Sequence, residues 1–460
     1  MNLVAKAERA AAMKAYDYVD RDPEKNLPKL MDDLIRLDPK GAAIGKQVKA
    51  IKSSFVIPEN NWRKLVLSLW TDIDPDVRRK LFETVAVNAS LIGSAEQKEN
   101  KKKYGCNIPW AILMDPTSAC NLKCTGCWAA EYGHRMSLTL SELEGVILQG
   151  EELGCYLYIY SGGEPLVRKE DILALCERHP ECAFLAFTNG TLIDEKFADD
   201  MLRVKNFIPA ISVEGFEEAT DLRRGKGTFA AVMKAMALLK ARKLPFGVSC
   251  CYTSQNTDVI GSEEYFDAMI EWGAKFAWFF TYMPVGRDAV PSLMATSEQR
   301  EKMYRRIRAF RETKPLFTMD FWNDGEFVGG CIAGGRAYFH INANGDIEPC
   351  AFIHYADSNI RTDTLIGALK KPLFMGYHDN QPFNSNMLRP CPVLDNPGRL
   401  TEIVEASGAR STEVLAPESA REYSDKCMER AEGWAPVAER LWKCSGKCAQ
   451  CETHDASQAG

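Results

Sequence analysis

Between residues 107 and 310, short apolar runs alternate with helix-like segments, and this alternation restricts the fold more than any other feature of the chain. Each apolar run has the length of a strand and is followed by turn residues and then by an amphipathic stretch. The six runs begin at Trp110, Cys155, Ala183, Phe207, Phe246 and Phe276. Such alternation predicts βα units that build a parallel sheet.

Three cysteines lie within eight residues just after the first predicted strand. Cys120, Cys124 and Cys127 are spaced C-x3-C-x2-C and follow turn residues. Thiolates this close together can bind one metal centre, and thiolate is the usual ligand of iron–sulfur clusters. Three thiols leave one iron of a four-iron cluster without a protein ligand, and an open position is what metal catalysis needs. A zinc site is the alternative, with His134 as the nearest candidate for a fourth ligand.

A second motif, Ser161-Gly162-Gly163-Glu164-Pro165, follows the second predicted strand. Together with the three cysteines, it resembles the radical S-adenosyl-L-methionine (SAM) superfamily. The resemblance implies an α/β protein with a partial (β/α)6 barrel and a catalytic 4Fe-4S cluster on the three cysteines. It also implies that this cluster binds SAM and cleaves it reductively to methionine and a 5′-deoxyadenosyl radical. One position departs from the family, because Gly126 stands where an aromatic residue often precedes the third cysteine, and Trp128 follows the motif.

The resemblance implies SAM contacts at the ends of the first strands. Gly162 and Gly163 allow backbone to approach a ligand closely; in the family this motif contacts the amino group of SAM, with Glu164 as a helper. The alternative is a strand-to-helix turn that requires glycine.

Further SAM contacts are implied at polar residues that follow later strands. Asn189, Ser212 and Glu214 resemble positions that bind the ribose or the amino-acid part of SAM, and the alternative is that they cap the next helix. Arg224 can pair with the SAM carboxylate through its forked guanidinium group. The alternative is that Arg224 belongs to a solvated basic loop.

The chain divides into four predicted parts. Residues 1–105 form a helical N-terminal domain, with helix starts at Asp22-Pro23 and Asp74-Pro75. This domain is either a substrate-recognition or docking module or a helical cap packed on the barrel. Residues 106–310 form the radical SAM core, 311–440 a small Cys-rich α+β extension, and 441–460 a Cys-containing tail.

The predicted extension opens with a β-hairpin. Asn344-Gly345 is a strong hairpin signal between two strands, and Cys331 and Cys350 flank the hairpin. This pattern resembles the SPASM/Twitch extension, which carries auxiliary iron–sulfur clusters. We expect at least one auxiliary cluster, held by Cys331, Cys350, Cys391 and Cys427, and a zinc site on the same ligands is the alternative.

The tail repeats the spacing of the first motif at Cys444, Cys448 and Cys451. No barrel follows it, so a second SAM site is not expected. The alternatives are a further auxiliary cluster and a loose metal-binding tail.

Composition restricts location and partners. The net charge of −6 gives no electrostatic footprint for nucleic acid. There is no run of eighteen apolar residues and no signal-peptide core, so we expect a cytoplasmic protein without a transmembrane segment. The chain has 16 cysteines, which in the cytoplasm indicate metal ligation rather than disulfides.

We therefore expect a radical SAM enzyme that abstracts hydrogen from a peptide or protein, supplied with electrons by a donor such as flavodoxin or ferredoxin. One alternative is radical modification of a lipid or small molecule, which predicts an apolar tunnel from the N-terminal domain to the cluster. Another is an iron–sulfur electron carrier or sensor that never cleaves SAM.

Overall fold

The computed structural model of the protein describes residues 3–37, 45–287 and 289–444. Up to Tyr104 these residues form six α-helices and a π-helical segment, Phe82–Ile92. The helices are α1 (Leu3–Asp20), α2 (Pro23–Leu37), α3 (Gly45–Phe55), α4 (Asn61–Asp72), α5 (Pro75–Leu81) and α6 (Gly93–Tyr104). Asp74 accepts hydrogen bonds from the backbone N–H of Asp76 and Val77, at 2.9 and 3.1 Å, and thus caps α5 as predicted.

The N-terminal helices pack on the outside of the barrel. Ala89 and Val77 belong to the same buried core as the strands, and the indole N–H of Trp110 donates to the Ala89 carbonyl at 3.1 Å. Packing on the barrel fits the predicted cap, and a docking role for this domain stays a prediction.

The six predicted βα units are confirmed, and their strands are parallel. The strands are β1 (Ala111–Met114), β2 (Leu157–Tyr160), β3 (Ala183–Thr188), β4 (Phe207–Ser212), β5 (Gly247–Tyr252) and β6 (Phe276–Thr281). The connecting helices are α7 (Leu140–Glu152), α8 (Lys169–Arg178), α9 (Glu195–Val204), α10 (Glu217–Arg224), α11 (Thr228–Ala241), α12 (Thr257–Ile260), α13 (Glu263–Trp272) and α14 (Ser297–Thr313). The loops at the carboxyl ends of these strands carry the candidate site.

Strands from beyond residue 310 extend the sheet at both edges. β7 (Phe317–Asp320) pairs in parallel with β6, and β8 (Tyr338–Ile341) pairs in parallel with β1. β9 (Ile347–Glu348) returns antiparallel to β8, which confirms the predicted hairpin, and the sheet order is β7-β6-β5-β4-β3-β2-β1-β8-β9. The domain boundary at 310 stays a prediction, although one sheet contains strands from both sides of it.

The remaining described chain forms short elements and one long helix. They are α15 (Gly325–Val328), β10 (Tyr355–Ala356), α16 (Leu365–Leu369), α17 (Pro372–Asn380), α18 (Pro397–Ser407), β11 (Arg410–Ser411) and α19 (Ala420–Cys444). Cys444 ends α19, whereas Cys448 and Cys451 lie outside the described residues. Within the part of the chain that is described, no helix combines the length and the apolar character needed to cross a bilayer.

Candidate functional site

The loop after β1 carries the three clustered cysteines and is clamped by the glycine motif after β2. The N–H of Gly163 donates to the Thr117 carbonyl at 3.0 Å, and the N–H of Glu164 donates to the Ala119 carbonyl at 2.9 Å. A Cβ on Gly163 would lie 2.2 Å from the Ala119 oxygen. Glycine is therefore required here because the backbones of the two loops touch.

The three thiols of this loop face one cavity. Cys120, Cys124 and Cys127 all line it, and the Cys120 sulfur accepts a hydrogen bond from the Leu122 N–H at 3.4 Å. Burial, with smaller contributions from Glu164 and the other two thiols, raises the pKa of Cys120 to about 11. Metal binding would therefore have to displace a proton from this sulfur.

Three thiols in one loop, all lining one cavity, are a donor set that fits an iron–sulfur cluster. A single zinc ion needs all its ligands within about 2.0–2.3 Å of one point. Thiolates of a four-iron cluster bind different irons, so they can lie further apart.

The cavity has a volume of about 230 Å³ and extends into the barrel. Most of the predicted SAM contacts line it: Gly162, Gly163, Glu164, Asn189, Ser212 and Arg224. Glu214 is not among its lining residues. Aromatic side chains, Trp278, Phe280, Phe321 and Phe352, also line the cavity. The cavity thus combines polar groups and cysteines with aromatic side chains.

Glu164 is buried and holds the ends of β2 and β3 together. Its carboxylate accepts hydrogen bonds from the Thr188 hydroxyl at 2.6 Å, the Asn189 N–H at 2.7 Å and the Leu166 N–H at 2.9 Å. Burial nevertheless raises the pKa of Glu164. These bonds position the loops that line the cavity.

Asn189 links the end of β3 to the cysteine loop. Its amide donates to the Asn121 side-chain oxygen at 2.8 Å, and its own oxygen accepts from the Thr191 N–H and hydroxyl at 3.0 and 2.7 Å. Asn121 lies between Cys120 and Cys124, so Asn189 supports the loop as well as facing the cavity.

Glu214 is fully buried between two arginines. It accepts from Arg223 at 2.6 Å and from Arg224 at 2.5 and 2.9 Å, and the Cys251 N–H donates to its other oxygen at 3.1 Å. Burial by itself would raise the pKa of Glu214, but the two guanidinium groups outweigh it and lower that pKa. Glu214 therefore holds Arg224 in place at the cavity rather than facing the cavity itself.

Two residues at this site were not assigned a role by the sequence patterns. Arg223 lines the cavity, and its carbonyl accepts from the N–H of Thr125 in the cysteine loop at 2.9 Å. Cys251 also lines the cavity. The available signal was position: Cys251 is the next-to-last residue of β5, whose carboxyl end carries the site, and Arg223 precedes Arg224 at the end of α10.

An aromatic side chain from another loop lies beside Gly126, the position before the third cysteine. Gly126 has a φ of +65°, and a Cβ there would lie 2.5 Å from the Tyr282 ring. Tyr282, just after β6, therefore covers the space beside Gly126. Trp128 packs edge-on against His340 and Phe352, and its ring centroid lies 5.7 and 5.8 Å from theirs.

A buried ionic group connects the cysteine loop to the β-hairpin. His340 lies between Asp115 at 3.0 Å and Glu348 at 2.7 Å, and the Tyr132 hydroxyl donates to Glu348 at 2.7 Å. Burial disfavours the charged imidazole, but the two carboxylates outweigh it and raise the pKa of His340 to about 10. The hairpin is thus held against the β1 loop by a charged histidine.

Three of the four cysteines assigned to an auxiliary cluster surround a second, smaller cavity, and the fourth lies near them. Cys331, Cys350 and Cys391 line this cavity of about 40 Å³. Cys427 lies on α19 and is fully buried. Burial raises the pKa of all four, and in each case a second member of the group raises it further. Four neighbouring thiols, two of them buried and two half-buried, fit the donor set of an iron–sulfur cluster.

The two cavities are neighbours. Met283, Phe321, Ile332 and Phe352 line both of them. The second group of cysteines is therefore separated from the first cavity by a single layer of apolar side chains.

Comparison with known proteins gives relatives that match part of this chain. The Fe-coproporphyrin III synthase of Methanosarcina barkeri is 29% identical over 182 residues, 39% of this chain and 45% of the relative. The cysteine-type anaerobic sulfatase-maturating enzyme of Clostridium perfringens is 30% identical over 168 residues, 32% of this chain and 45% of the relative. The chain thus spans less than half the length of these two relatives.

A solved structure supports the fold. Streptococcus suis SuiB bound to S-adenosylmethionine superposes with a TM-score of 0.54 at 18% identity, over 65% of this chain and 76% of SuiB. The family model described as the Radical SAM superfamily matches residues 114–272, from the last residue of β1 to the last residue of α13. This match spans the cysteine loop, the glycine clamp and strands β2 to β5 with the helices that follow them, so residues 114–272 match a radical SAM domain.

Proposed function

We propose that this protein is a radical SAM enzyme. The observation that carries the proposal is the convergence of Cys120, Cys124 and Cys127 on one cavity next to the clamped Gly162-Gly163 backbone. These thiolates would hold a 4Fe-4S cluster, which would supply the electron that cleaves SAM to methionine and a 5′-deoxyadenosyl radical able to abstract hydrogen from a substrate C–H bond. The protein provides binding, orientation and exclusion of water.

Polar residues of the cavity would hold SAM. Asn189, Ser212 and the backbone at Gly162 and Gly163 face the space beside the thiols. Arg224 carries the positive charge that a SAM carboxylate needs, and its guanidinium is already oriented by Glu214. We assign Glu164 and Glu214 to positioning, because their carboxylate oxygens bind protein groups.

Cys331, Cys350, Cys391 and Cys427 would hold an auxiliary cluster, which fits a SPASM/Twitch-like extension over 311–440. Four protein thiolates leave no open iron position, so this cluster would relay electrons rather than bind SAM. A donor such as flavodoxin or ferredoxin would supply the reducing electron, in the cytoplasm.

A peptide or protein is the first candidate substrate. The supporting observation is that the relatives include a sulfatase-maturating enzyme and that SuiB has also been solved bound to the precursor peptide SuiA. An apolar small molecule or lipid is the second candidate. It is favoured by the aromatic side chains that line the cavity and by Trp110, which also lines it and bonds to Ala89 of the N-terminal domain.

The test compares the wild-type protein with a Cys120/Cys124/Cys127→Ala variant. Both are reconstituted anaerobically with iron and sulfide, given SAM and dithionite, and assayed for 5′-deoxyadenosine and iron. We expect 5′-deoxyadenosine from the wild type alone and iron retained by the variant on the auxiliary cysteines. A fully iron-loaded wild type that forms no 5′-deoxyadenosine, with or without candidate peptides, would favour an electron carrier or sensor instead.

A further inference from the structure

Tyr338 lies between the two groups of cysteines. It is the first residue of β8 and pairs with Ala111 of β1, which places its ring in the wall of the first cavity. Its hydroxyl lies 2.7 Å from the sulfur of Cys350, in a buried contact. One side chain therefore contacts the catalytic cavity and a predicted auxiliary ligand.

The direction of this hydrogen bond follows from the chemistry of the ligand. A protonated Cys350 could donate or accept, but a metal-bound thiolate can only accept. The Tyr338 hydroxyl would then be the donor. Hydrogen bonds to cluster sulfurs are among the factors that set a cluster's reduction potential. Because a donor stabilises the more negatively charged, reduced form, this bond would raise the potential.

We propose that Tyr338 is a positioning residue that orients the Cys350 thiolate and raises the reduction potential of the auxiliary cluster. This inference rests on the proposed function, since it requires a cluster on Cys331, Cys350, Cys391 and Cys427. Tyr338 would thus give β8 a second role besides extending the sheet next to β1.

The chain offers a matched control in Tyr377. This tyrosine is fully buried and lines the second cavity together with Cys331, Cys350 and Cys391. Among the described residues its hydroxyl has no hydrogen-bond partner. Tyr338→Phe and Tyr377→Phe therefore remove the same atom beside the same cysteines, but only the first removes a bond to sulfur.

The potential is measured in full-length protein that lacks the catalytic cysteines, so that the auxiliary cluster alone gives the signal. Redox titrations followed by electron paramagnetic resonance compare the Cys120/Cys124/Cys127→Ala parent with the same parent carrying Tyr338→Phe or Tyr377→Phe. We expect a more negative midpoint potential for Tyr338→Phe and the parental value for Tyr377→Phe. An unchanged or more positive potential in Tyr338→Phe, or an equal shift in both, would overturn the proposal.

A second measurement uses the same variants. Resonance Raman spectra in H2O and D2O should show a larger isotope shift of the Fe–S(Cys) bands in the parent than in Tyr338→Phe, because the variant loses the hydroxyl proton but keeps backbone donors such as the Leu394 N–H to the Cys391 sulfur. An equal isotope shift in the parent and in Tyr338→Phe would refute the donor role. If the parent binds no iron, there is no auxiliary cluster and the role proposed for Tyr338 is refuted. Formation of 5′-deoxyadenosine by the wild type would still support the proposed function in that case.

Discussion

Replacing Gly163 by alanine should disable the catalytic site without unfolding the protein. The new Cβ would lie 2.2 Å from the Ala119 carbonyl oxygen and 2.5 Å from that of Ser118, whereas real Cβ contacts are essentially never below 3.0 Å. The backbone preceding Cys120 must therefore move by about 0.8 Å. Neither oxygen belongs to a flexible side chain that could turn aside.

Two consequences of this displacement can be estimated. Overpacking of this kind typically costs about 1–3 kcal/mol of stability, which leaves a chain of this size folded. Misplacement of reacting groups by about 1 Å can cost about 100-fold in rate. We therefore expect Gly163→Ala to lose iron from the catalytic site and to form 5′-deoxyadenosine at least 10-fold more slowly.

The control is Gly145→Ala in α7, where an added Cβ meets nothing within 4 Å. Alanine in a helix is favoured over glycine by about 1 kcal/mol, so this variant should be as stable as the wild type or more stable. Both variants are compared by iron content, 5′-deoxyadenosine formation and Tm. A Gly163→Ala protein that keeps its iron and its rate would refute the close-approach argument.

Three further predictions concern buried groups. Glu214→Gln leaves two buried arginines without a compensating charge, so it should lower the free energy of unfolding, measured with denaturant, by about 3–5 kcal/mol. The control Glu59→Gln removes one partner of an exposed ion pair and should change this free energy little. The stabilisation from charged His340, whose pKa is raised from 6.5 to about 10, is complete below pH 6.5 and lost as the pH rises through 10. His340→Gln should therefore flatten the dependence of Tm on pH in this window, and the exposed His378→Gln should leave it unchanged. Cys427→Ala should lower iron per chain while 5′-deoxyadenosine still forms, and unchanged iron would exclude this cysteine as a ligand.

Local sequence patterns were sufficient for the central strands and the cysteine loop. The six apolar runs, each followed by turn residues, have the length of buried parallel strands. Such strands are buried on both faces, so they appear in the sequence as continuous apolar runs that can be recognised. β7 was not predicted, because Phe317–Asp320 is four residues long and of mixed polarity. Its strand conformation comes from pairing with β6, which is a long-range contact.

The sequence by itself determined which residues can carry the chemistry: three thiols in one loop, two glycines after the next strand, and a hairpin flanked by cysteines. These are local patterns, and spacing along the chain is enough to bring their members together. Only the tertiary structure decided which charged groups face the cavity. Glu214 turns away to pair with Arg223 and Arg224, because an isolated buried carboxylate is costly. The contact between Tyr338 and Cys350 likewise depends on β8 pairing with β1, more than two hundred residues earlier in the chain.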